Sequence, residues 1–192
     1  MNNLAGIVVK NFPTEVNLED GTVITLRPLL KDDELTFLAY FRSLAPEERV
    51  VLREEVTDPK VIENWMETLD YDLVLPLIAL HGQRIIGAAS LQFNLSAWTQ
   101  HQGEVRLSTD PQYRARGLGT MLIKTLEDIA AKLGLEQLTA EIPRELDKAF
   151  YLFEKMGFEK AAVLQGFVMD ADGRESDIVL MIKSLAAASQ AA

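Results

Sequence analysis

The alternation of apolar and polar residues predicts the first strands of the chain. Residues 14–18 and 22–26 alternate in this way and flank Asp20-Gly21, a pair that is typical of the tight turn of a β-hairpin. Residues 6–10 favour one more strand at the sheet edge. We therefore interpret residues 1–19 as an N-terminal extension that contributes an edge strand.

Apolar residues three and four positions apart predict three helices after the hairpin. The first is predicted to be capped by the side chain of Asp32. The second begins at Pro46 and extends to about residue 52, and the third begins at Asp58-Pro59. The predicted buried residues are Leu35, Leu38 and Phe41 in the first helix and Ile62, Trp65, Met66 and Leu69 in the third.

Two strongly apolar runs, 74–80 and 84–93, predict buried strands, and the polar residues 94–103 predict a loop. A further strand from Glu104 ends at Asp110-Pro111, because proline cannot donate to the ladder and disfavours helix in its neighbour. The helix behind it ends at Gly134, which suits a left-handed cap. Its apolar stripe consists of Leu118, Leu122, Leu126, Ile129 and Leu133.

The last elements are a strand at 138–142, a helix that stops at Gly157, and two strands at 161–169 and 176–182 joined by a turn at 171–173. Residues 185–192 are predicted to be a flexible tail. This order predicts an α+β fold with a mixed, mostly antiparallel central sheet flanked by helices. Without repeats or a linker, residues 1–192 are expected to form one domain.

Composition narrows the function. The 192 residues carry a net charge of −10, which argues against nucleic acid or an anionic membrane as a general partner. There is no cysteine, and the two histidines lack carboxylates at ligand spacing, so no metal site is expected. No apolar run has membrane-spanning length and the polar start is not typical of a signal peptide, so a cytoplasmic protein is expected.

The most informative stretch is the glycine-rich turn between the strand at 104–109 and the following helix. It contains Arg114, Arg116, Gly117 and Gly119, where free N–H groups and the positive end of the helix dipole favour an anion. Residues 105–124 carry four basic side chains against one acidic residue, which suits a polyphosphate ligand. A P-loop would need Lys-Ser or Lys-Thr after the last glycine, and a dinucleotide fingerprint would need a third glycine.

The pattern Arg-x-x-Gly-x-Gly at 114–119 resembles the pyrophosphate loop of the GNAT N-acetyltransferase superfamily. A second segment, Leu152-Phe153-Glu154-Lys155-Met156-Gly157-Phe158, is similar to that family's later helix, with matching order and spacing. Within the superfamily, Leu26-Arg27-Pro28-Leu29 and residues 41–47 resemble the bacterial protein-lysine acetyltransferases called Pat, over about residues 20–184. The regulatory domain that often accompanies them is not expected within these 192 residues.

The resemblance implies the GNAT fold, acetyl-CoA as cosubstrate, and a set of cofactor-binding residues. The backbones of Leu107 and Thr109 would pair with the pantetheine arm, and the Leu107 N–H would polarise the thioester carbonyl. The loop up to Thr120 would supply amides to the pyrophosphate. The full set is Leu107, Ser108, Thr109, Arg114, Ala115, Arg116, Gly117, Leu118, Gly119, Thr120 and Phe153.

Acetyl transfer also needs a deprotonated amine. A lysine is neutral in only about one molecule in 2,500 at pH 7, so a general base is needed. Glu104 occupies the position where lysine acetyltransferases of this superfamily carry their glutamate base. Glu141 is the alternative base, and His101 is a candidate for a proton relay through water.

Two residues depart from the family pattern. Phe153 stands where many members carry a tyrosine that protonates the leaving thiolate, and Leu146 stands where many carry an asparagine bonded to the cofactor. The expected function is acetyl-CoA-dependent acetylation of a primary amine, with a protein lysine preferred. The alternatives are a small-amine or polyamine acetyltransferase and a degenerate acyl-CoA-binding module. A homodimer is compatible with the sequence.

Overall fold

The computed structural model describes residues 6, 10–49, 52, 54–169 and 173–185, and in these residues eight strands form one sheet. The strands are β1 (Thr14–Asn17), β2 (Val23–Pro28), β3 (Val74–His81), β4 (Arg84–Phe93), β5 (Gln102–Thr109), β6 (Gln137–Pro143), β7 (Glu159–Met169) and β8 (Glu175–Ser184). The helices are α1 (Glu34–Ser43), α2 (Pro46–Arg49), α3 (Pro59–Glu67), α4 (Leu118–Lys132) and α5 (Asp147–Lys155), with 3-10 turns at Lys31–Asp33 and Pro111–Tyr113.

The sheet order is β1-β2-β3-β4-β5-β6-β8-β7, and every neighbouring pair is antiparallel except β5 with β6. This confirms the predicted α+β class and the mixed, mostly antiparallel sheet. The β5–β6 pair is parallel because the chain crosses over through α4 between the two strands.

The β5–β6 ladder is short. The two strands pair only at Gln102–Gln137, Gly103–Leu138 and Glu104–Thr139. From Val105 onward β5 pairs with β4 alone, although β6 continues along β8 to Pro143. The sheet therefore opens into a cleft between β5 and β6.

Two apolar cores lie on opposite faces of the sheet. One contains the buried side of α4, and the other contains α1 and α3. Strand β4 has one extra residue, Ile86, because Leu80 pairs with Ile85 whereas Ala79 pairs with Gly87. Ile86 and Gly87 consequently both face the α4 core, and Ile85 faces the α1–α3 core. This extra residue determines which side chains of β4 face the helices α1 and α3.

The predicted start of the first long helix was wrong by one residue. The N-cap of α1 is Asp33 rather than Asp32, and its side chain makes no capping hydrogen bond to the helix. The Asp33 carboxylate instead accepts hydrogen bonds from the Leu30 N–H and from Arg27 in β2. Leu35, predicted to be buried, is 76% exposed. With the helix turned this way, Phe37, Leu38, Tyr40 and Phe41 form its buried face.

Several other predictions lie partly outside the described residues. Of the strand predicted at residues 6–10, only Gly6 and Lys10 are described, and both are helical rather than extended. The helix predicted from Pro46 to about residue 52 is described over Pro46–Arg49, and Leu52 lies in a 3-10 turn. Most of the turn at 171–173 and nearly all of the tail at 185–192 lie outside the described residues.

Candidate active site

The glycine-rich turn leads directly into α4. Gly117 is the N-cap with φ of 82°, and glycine adopts this left-handed conformation without penalty. Ala115 also has positive φ, at 55°, which is uncommon for a residue with a side chain. Because Gly117 provides no side-chain cap, the first N–H groups of α4 have no capping acceptor from it. The start of α4 is therefore a candidate site for an anion.

The two arginines of the turn make different contacts. Arg114 folds back on the end of β5 and donates to the Thr109 carbonyl at 3.1 Å and, more weakly, to the Thr109 hydroxyl at 3.5 Å. Arg116 pairs with Asp20 at 2.9 Å and lies 5.3 Å from the centre of the Tyr113 ring. Hydrogen bonds from Thr22 and, secondarily, the charge of Arg116 hold the pKa of Asp20 below its usual value.

These contacts change the electrostatics predicted from the sequence. In the folded protein, acidic partners offset part of the positive charge counted over residues 105–124. Arg116 is paired with Asp20, and Arg106 is paired with Glu104. The β1–β2 turn also contacts the loop through the Glu19 N–H, which donates to the Arg116 carbonyl at 3.0 Å. The first hairpin thus supports the predicted phosphate loop.

The β5–β6 cleft is narrow, with an enclosed volume of about 40 Å³. It brings together the predicted base Glu104, the alternative base Glu141, and two predicted cofactor residues, Leu107 and Phe153. The Phe153 ring is 4% exposed and packs edge-on against Phe158 at 5.0 Å. An aromatic ring without a hydroxyl therefore closes the cleft on the α5 side.

Glu104 is part of an ion pair along one face of β5. Its Oε1 atom accepts from Nε of Arg106 at 2.8 Å, and both side chains are about one-fifth exposed. With its amide oxygen oriented toward the guanidinium, Gln92 on β4 accepts from Nε and Nη1 of Arg106. The predicted base is thus held beside a positive charge that the sequence analysis did not assign to it.

A second cavity of about 400 Å³ lies on the α1–α3 face of the sheet, and we call it the aromatic pocket. Phe37, Phe41 and Trp65 form much of its wall. Two residues of β5, Arg106 and Leu107, line both this pocket and the β5–β6 cleft. The two cavities therefore meet at Leu107, the residue expected to polarise the thioester.

Some predicted cofactor residues offer only their backbone. The Ser108 side chain lies on the aromatic-pocket face and accepts a hydrogen bond from Tyr40 at 3.0 Å. The Leu118 side chain is buried in the α4 core. A Cβ on Gly119 would lie 2.8 Å from Cδ2 of Leu152, so a side chain at this position would have to displace the end of the Leu152 side chain.

The structure changes the interpretation of two other residues, His101 and Leu146. His101 lines a separate cavity that shares no lining residue with the β5–β6 cleft, so the structure does not bring it to Glu104. Leu146 is the N-cap of α5 and packs against the α4 core. An apolar residue there has a structural reason, which the sequence did not show.

The sequence analysis missed Arg106, Asp20 and Tyr40 as parts of the site. Tyr40 had a signal, since it lies one helical turn from Phe37 and so shares its buried face. Asp20 had none, because its partner Arg116 is 96 residues away in the chain. Arg106 was counted as part of a phosphate site, whereas its side chain lies between the two cavities.

Comparison with known proteins agrees with this geometry. Residues 37–158 match the model of the acetyltransferase (GNAT) family. The chain belongs to the GNAT acetyltransferase family. The predicted superfamily and the predicted GNAT type of enzyme are confirmed.

The curated relatives of this GNAT protein include ribosomal-protein alanine N-acetyltransferases. The [ribosomal protein bS18]-alanine N-acetyltransferase of Escherichia coli K12 is 32% identical over 76 residues, which cover 40% of this chain and 51% of that enzyme. The chain thus spans about half the length of the curated relatives it matches.

Two solved structures show the same fold. The GNAT domain of S. lividans PAT has a TM-score of 0.73 at 19% identity, covering 90% of this chain and 96% of that one. The Salmonella typhimurium protein yncA, solved with its cofactor acetyl-CoA, has a TM-score of 0.69 at 20% identity and covers 85% and 94%. The Pat-like specificity predicted from the sequence stays a prediction.

Two kinds of feature are absent from the described residues. No group of three or more histidine, cysteine, aspartate or glutamate side chains there is arranged to hold a metal ion. No helix in the same part of the chain is long and apolar enough to cross a membrane.

Proposed function

We propose that this GNAT protein transfers the acetyl group of acetyl-CoA directly to the α-amine at the N-terminus of a protein or peptide. The observation that carries the proposal is the meeting of two cavities at Arg106 and Leu107, one on each side of β5. Acetyl-CoA would enter through the β5–β6 cleft, and the acceptor amine would arrive from the aromatic pocket. Relatives that acetylate a ribosomal-protein alanine support this choice of acceptor.

Acetyl-CoA supplies an acetyl group activated as a thioester. The N–H groups at the start of α4 would hold its pyrophosphate, because they point away from the helix without a capping side chain. Arg114 lies at the end of β5, where its charge would add to these amides. Arg116, tied to Asp20, would act mainly by fixing the loop.

The acceptor amine must lose its proton before it attacks. An α-amine with a pKa of about 7.7–8.0 is neutral in roughly one molecule in eight at pH 7, a cost of about 1.2 kcal/mol. A lysine with a pKa near 10.4 costs about 4.6 kcal/mol. We propose Glu104 as the general base, because it lines the β5–β6 cleft together with Leu107. An α-amine needs less help from a base than a lysine does.

Phe153 lines the β5–β6 cleft but cannot protonate the leaving thiolate, because its ring carries no acidic group. Among the described residues that line the β5–β6 cleft, only Glu104, Arg106 and Glu141 carry an ionisable group. A thiol with a pKa near 8.5 is a tolerable leaving group close to neutral pH. We therefore propose that solvent, or the proton collected by Glu104, protonates the thiolate.

The test uses one peptide in three forms: a free N-terminus without lysine, a blocked N-terminus with one lysine, and both groups blocked. Coenzyme A release and the mass of each product are measured, with acetyl-CoA binding determined separately by calorimetry. The free α-amine should react about two orders of magnitude faster than the lysine at pH 7, in proportion to their neutral fractions.

Three results would contradict the proposal. Faster reaction of the lysine peptide would restore the acceptor predicted from the sequence. Turnover of a polyamine but of neither peptide would indicate a small-amine enzyme. Acetyl-CoA binding without turnover on any acceptor would indicate an acyl-CoA-binding module.

A further inference from the structure

The aromatic pocket exists because small residues form its floor. Ala88 and Ser90 on β4 face the same side of the sheet as their β5 partners Ser108 and Arg106. The wall above them comes from α1 and α3, where Phe37 and Trp65 contribute aromatic rings. The resulting volume of about 400 Å³ is within the range of small-molecule sites and is far more than an alanine side chain fills.

One polar group of this pocket lies at its junction with the β5–β6 cleft. Arg106 is the only basic residue among the described residues that line the pocket. Its Nε and Nη1 atoms are directed at Glu104 and Gln92, whereas no described residue accepts from Nη2. An acceptor oxygen placed beside the junction would satisfy this remaining donor.

We propose that the aromatic pocket receives a large apolar side chain on the carbon that carries the acceptor amine, while the adjoining carbonyl oxygen accepts from Nη2 of Arg106. This inference rests on the proposed function and specifies its acceptor. In an α-amino acid residue, the amine, the side chain and the carbonyl all branch from one carbon. They can therefore reach the junction, the pocket and Arg106 together.

A lysine ε-amine does not match this arrangement. The carbon beside it is unbranched, and the nearest carbonyl is several bonds away along the chain. Such an acceptor would leave the pocket unfilled and Nη2 of Arg106 without an acceptor. The chemistry that fits is an α-amine with a leucine-like or phenylalanine-like side chain, and both a peptide N-terminus and a free amino acid derivative provide it.

The first experiment varies only the acceptor. Lysine-free peptides that begin with glycine, alanine, leucine or phenylalanine and are otherwise identical are compared by kcat/KM with the wild-type protein. Leucine or phenylalanine should exceed alanine at least tenfold, since single methylenes in an apolar pocket discriminate by about 10–200-fold. Leucinamide is also compared with 3-methylbutylamine, which lacks the carbonyl, at equal concentrations of neutral amine. Leucinamide should react at least tenfold faster than 3-methylbutylamine.

The second experiment fills the pocket. Ala88→Leu should lower kcat/KM at least tenfold for the leucine peptide through a raised KM, with little change for the glycine peptide, which has no side chain to exclude. Ala88→Gly is the matched variant and should keep the leucine preference. Acetyl-CoA affinity should not change in either variant, because Ala88 does not line the β5–β6 cleft.

The outcomes separate this inference from the proposed function. Acetylation of the α-amine with equal rates for all first residues, or with alanine preferred, would overturn the inference and leave the proposed function intact. A second outcome is that leucinamide reacts faster than 3-methylbutylamine while none of the peptides reacts. This result would support the proposed role of the pocket and overturn the peptide acceptor. Absence of any α-amine acetylation would overturn both. If Ala88→Leu does not fold, the wild-type series alone decides.

Discussion

Substitution of Glu104 by glutamine tests the proposed base directly. Glutamine keeps an oxygen that accepts from Arg106, so the 2.8 Å contact changes from a charged pair to a hydrogen bond to a neutral group. That change is worth about 1 kcal/mol, which is less than a tenfold effect on any equilibrium. Loss of a positioned general base costs about 10²–10⁴-fold in rate. The two roles of Glu104 are therefore separated by their magnitudes.

The assay measures kcat and KM against pH for the glutamine variant. If Glu104 is the base, turnover at pH 7 falls by at least a hundredfold while acetyl-CoA affinity stays nearly constant. Raising the pH from 7 to 9 should then recover about eightfold with an α-amine acceptor, because its neutral fraction saturates, and about a hundredfold with a lysine. The pH profile thus reports the acceptor class as well.

Arg106→Gln is the control for the ion pair. It removes the charge beside Glu104 but leaves the carboxylate, so it should raise the acceptor KM with little loss of kcat. Equal loss of kcat in both variants would show that Glu104 acts only by holding Arg106. A wild-type pH profile in the Glu104→Gln variant would refute the base role and direct the search to Glu141 or to water.

Three further substitutions test the surrounding structure. Phe153→Ala should lower the free energy of unfolding by about 3–5 kcal/mol, because the ring is 4% exposed, whereas Phe153→Tyr should change turnover little; a large gain with tyrosine would show that a missing acid limits the enzyme. Gly119→Val should weaken acetyl-CoA binding at least tenfold in calorimetry and also destabilise the fold by about 1–3 kcal/mol through contact with Leu152; unchanged affinity would exclude the phosphate-loop assignment. Burial alone would raise the pKa of Asp33, but hydrogen bonds from Arg27 and the Leu30 N–H outweigh it and the pKa is lowered. Its stabilising effect is therefore complete above the unfolded pKa near 3.9 and lost as the pH falls through the folded value, so Asp33→Asn should cost about 2–3 kcal/mol at pH 7 in chemical denaturation and flatten the loss of stability below pH 4; an unchanged acid profile would contradict this.

The elements that sequence predicted well are those set by local pattern. The alternation and the apolar runs predicted the bounds of β1 to β4 to within a few residues of those in the structure. The apolar stripe that begins at Leu118 predicted the position of α4. Gly117 and Gly134 both have positive φ, as their roles at the two ends of α4 require. The glycine turn needs no distant partner to be identified, so the predicted phosphate loop could be placed from sequence.

What sequence could not provide was contact between distant segments. Even over a short separation, the pattern did not show that the Asp33 side chain binds Arg27 of β2 and does not cap α1. The charge of Arg116 could not be assigned to a loop contact without Asp20, which lies in the first hairpin.

The aromatic pocket had the same limitation. Each of Phe37, Phe41 and Trp65 is consistent with an ordinary core position in its own helix. The cavity between them depends on Ala88 and Ser90, two small residues on β4 that only the register of the sheet brings beneath those rings.

The short β5–β6 ladder has a mechanical consequence. Three residue pairs join β1–β5 to β6–β8 within the sheet, and beyond them the crossover through α4 and the shared α4 core hold the two halves together. A ligand seated in the cleft would contact both halves and resist their separation. At a hundred times its dissociation constant it would add about 2.7 kcal/mol to folding. Hydrogen exchange should then slow together in β4 and β8, although neither strand lines the cleft.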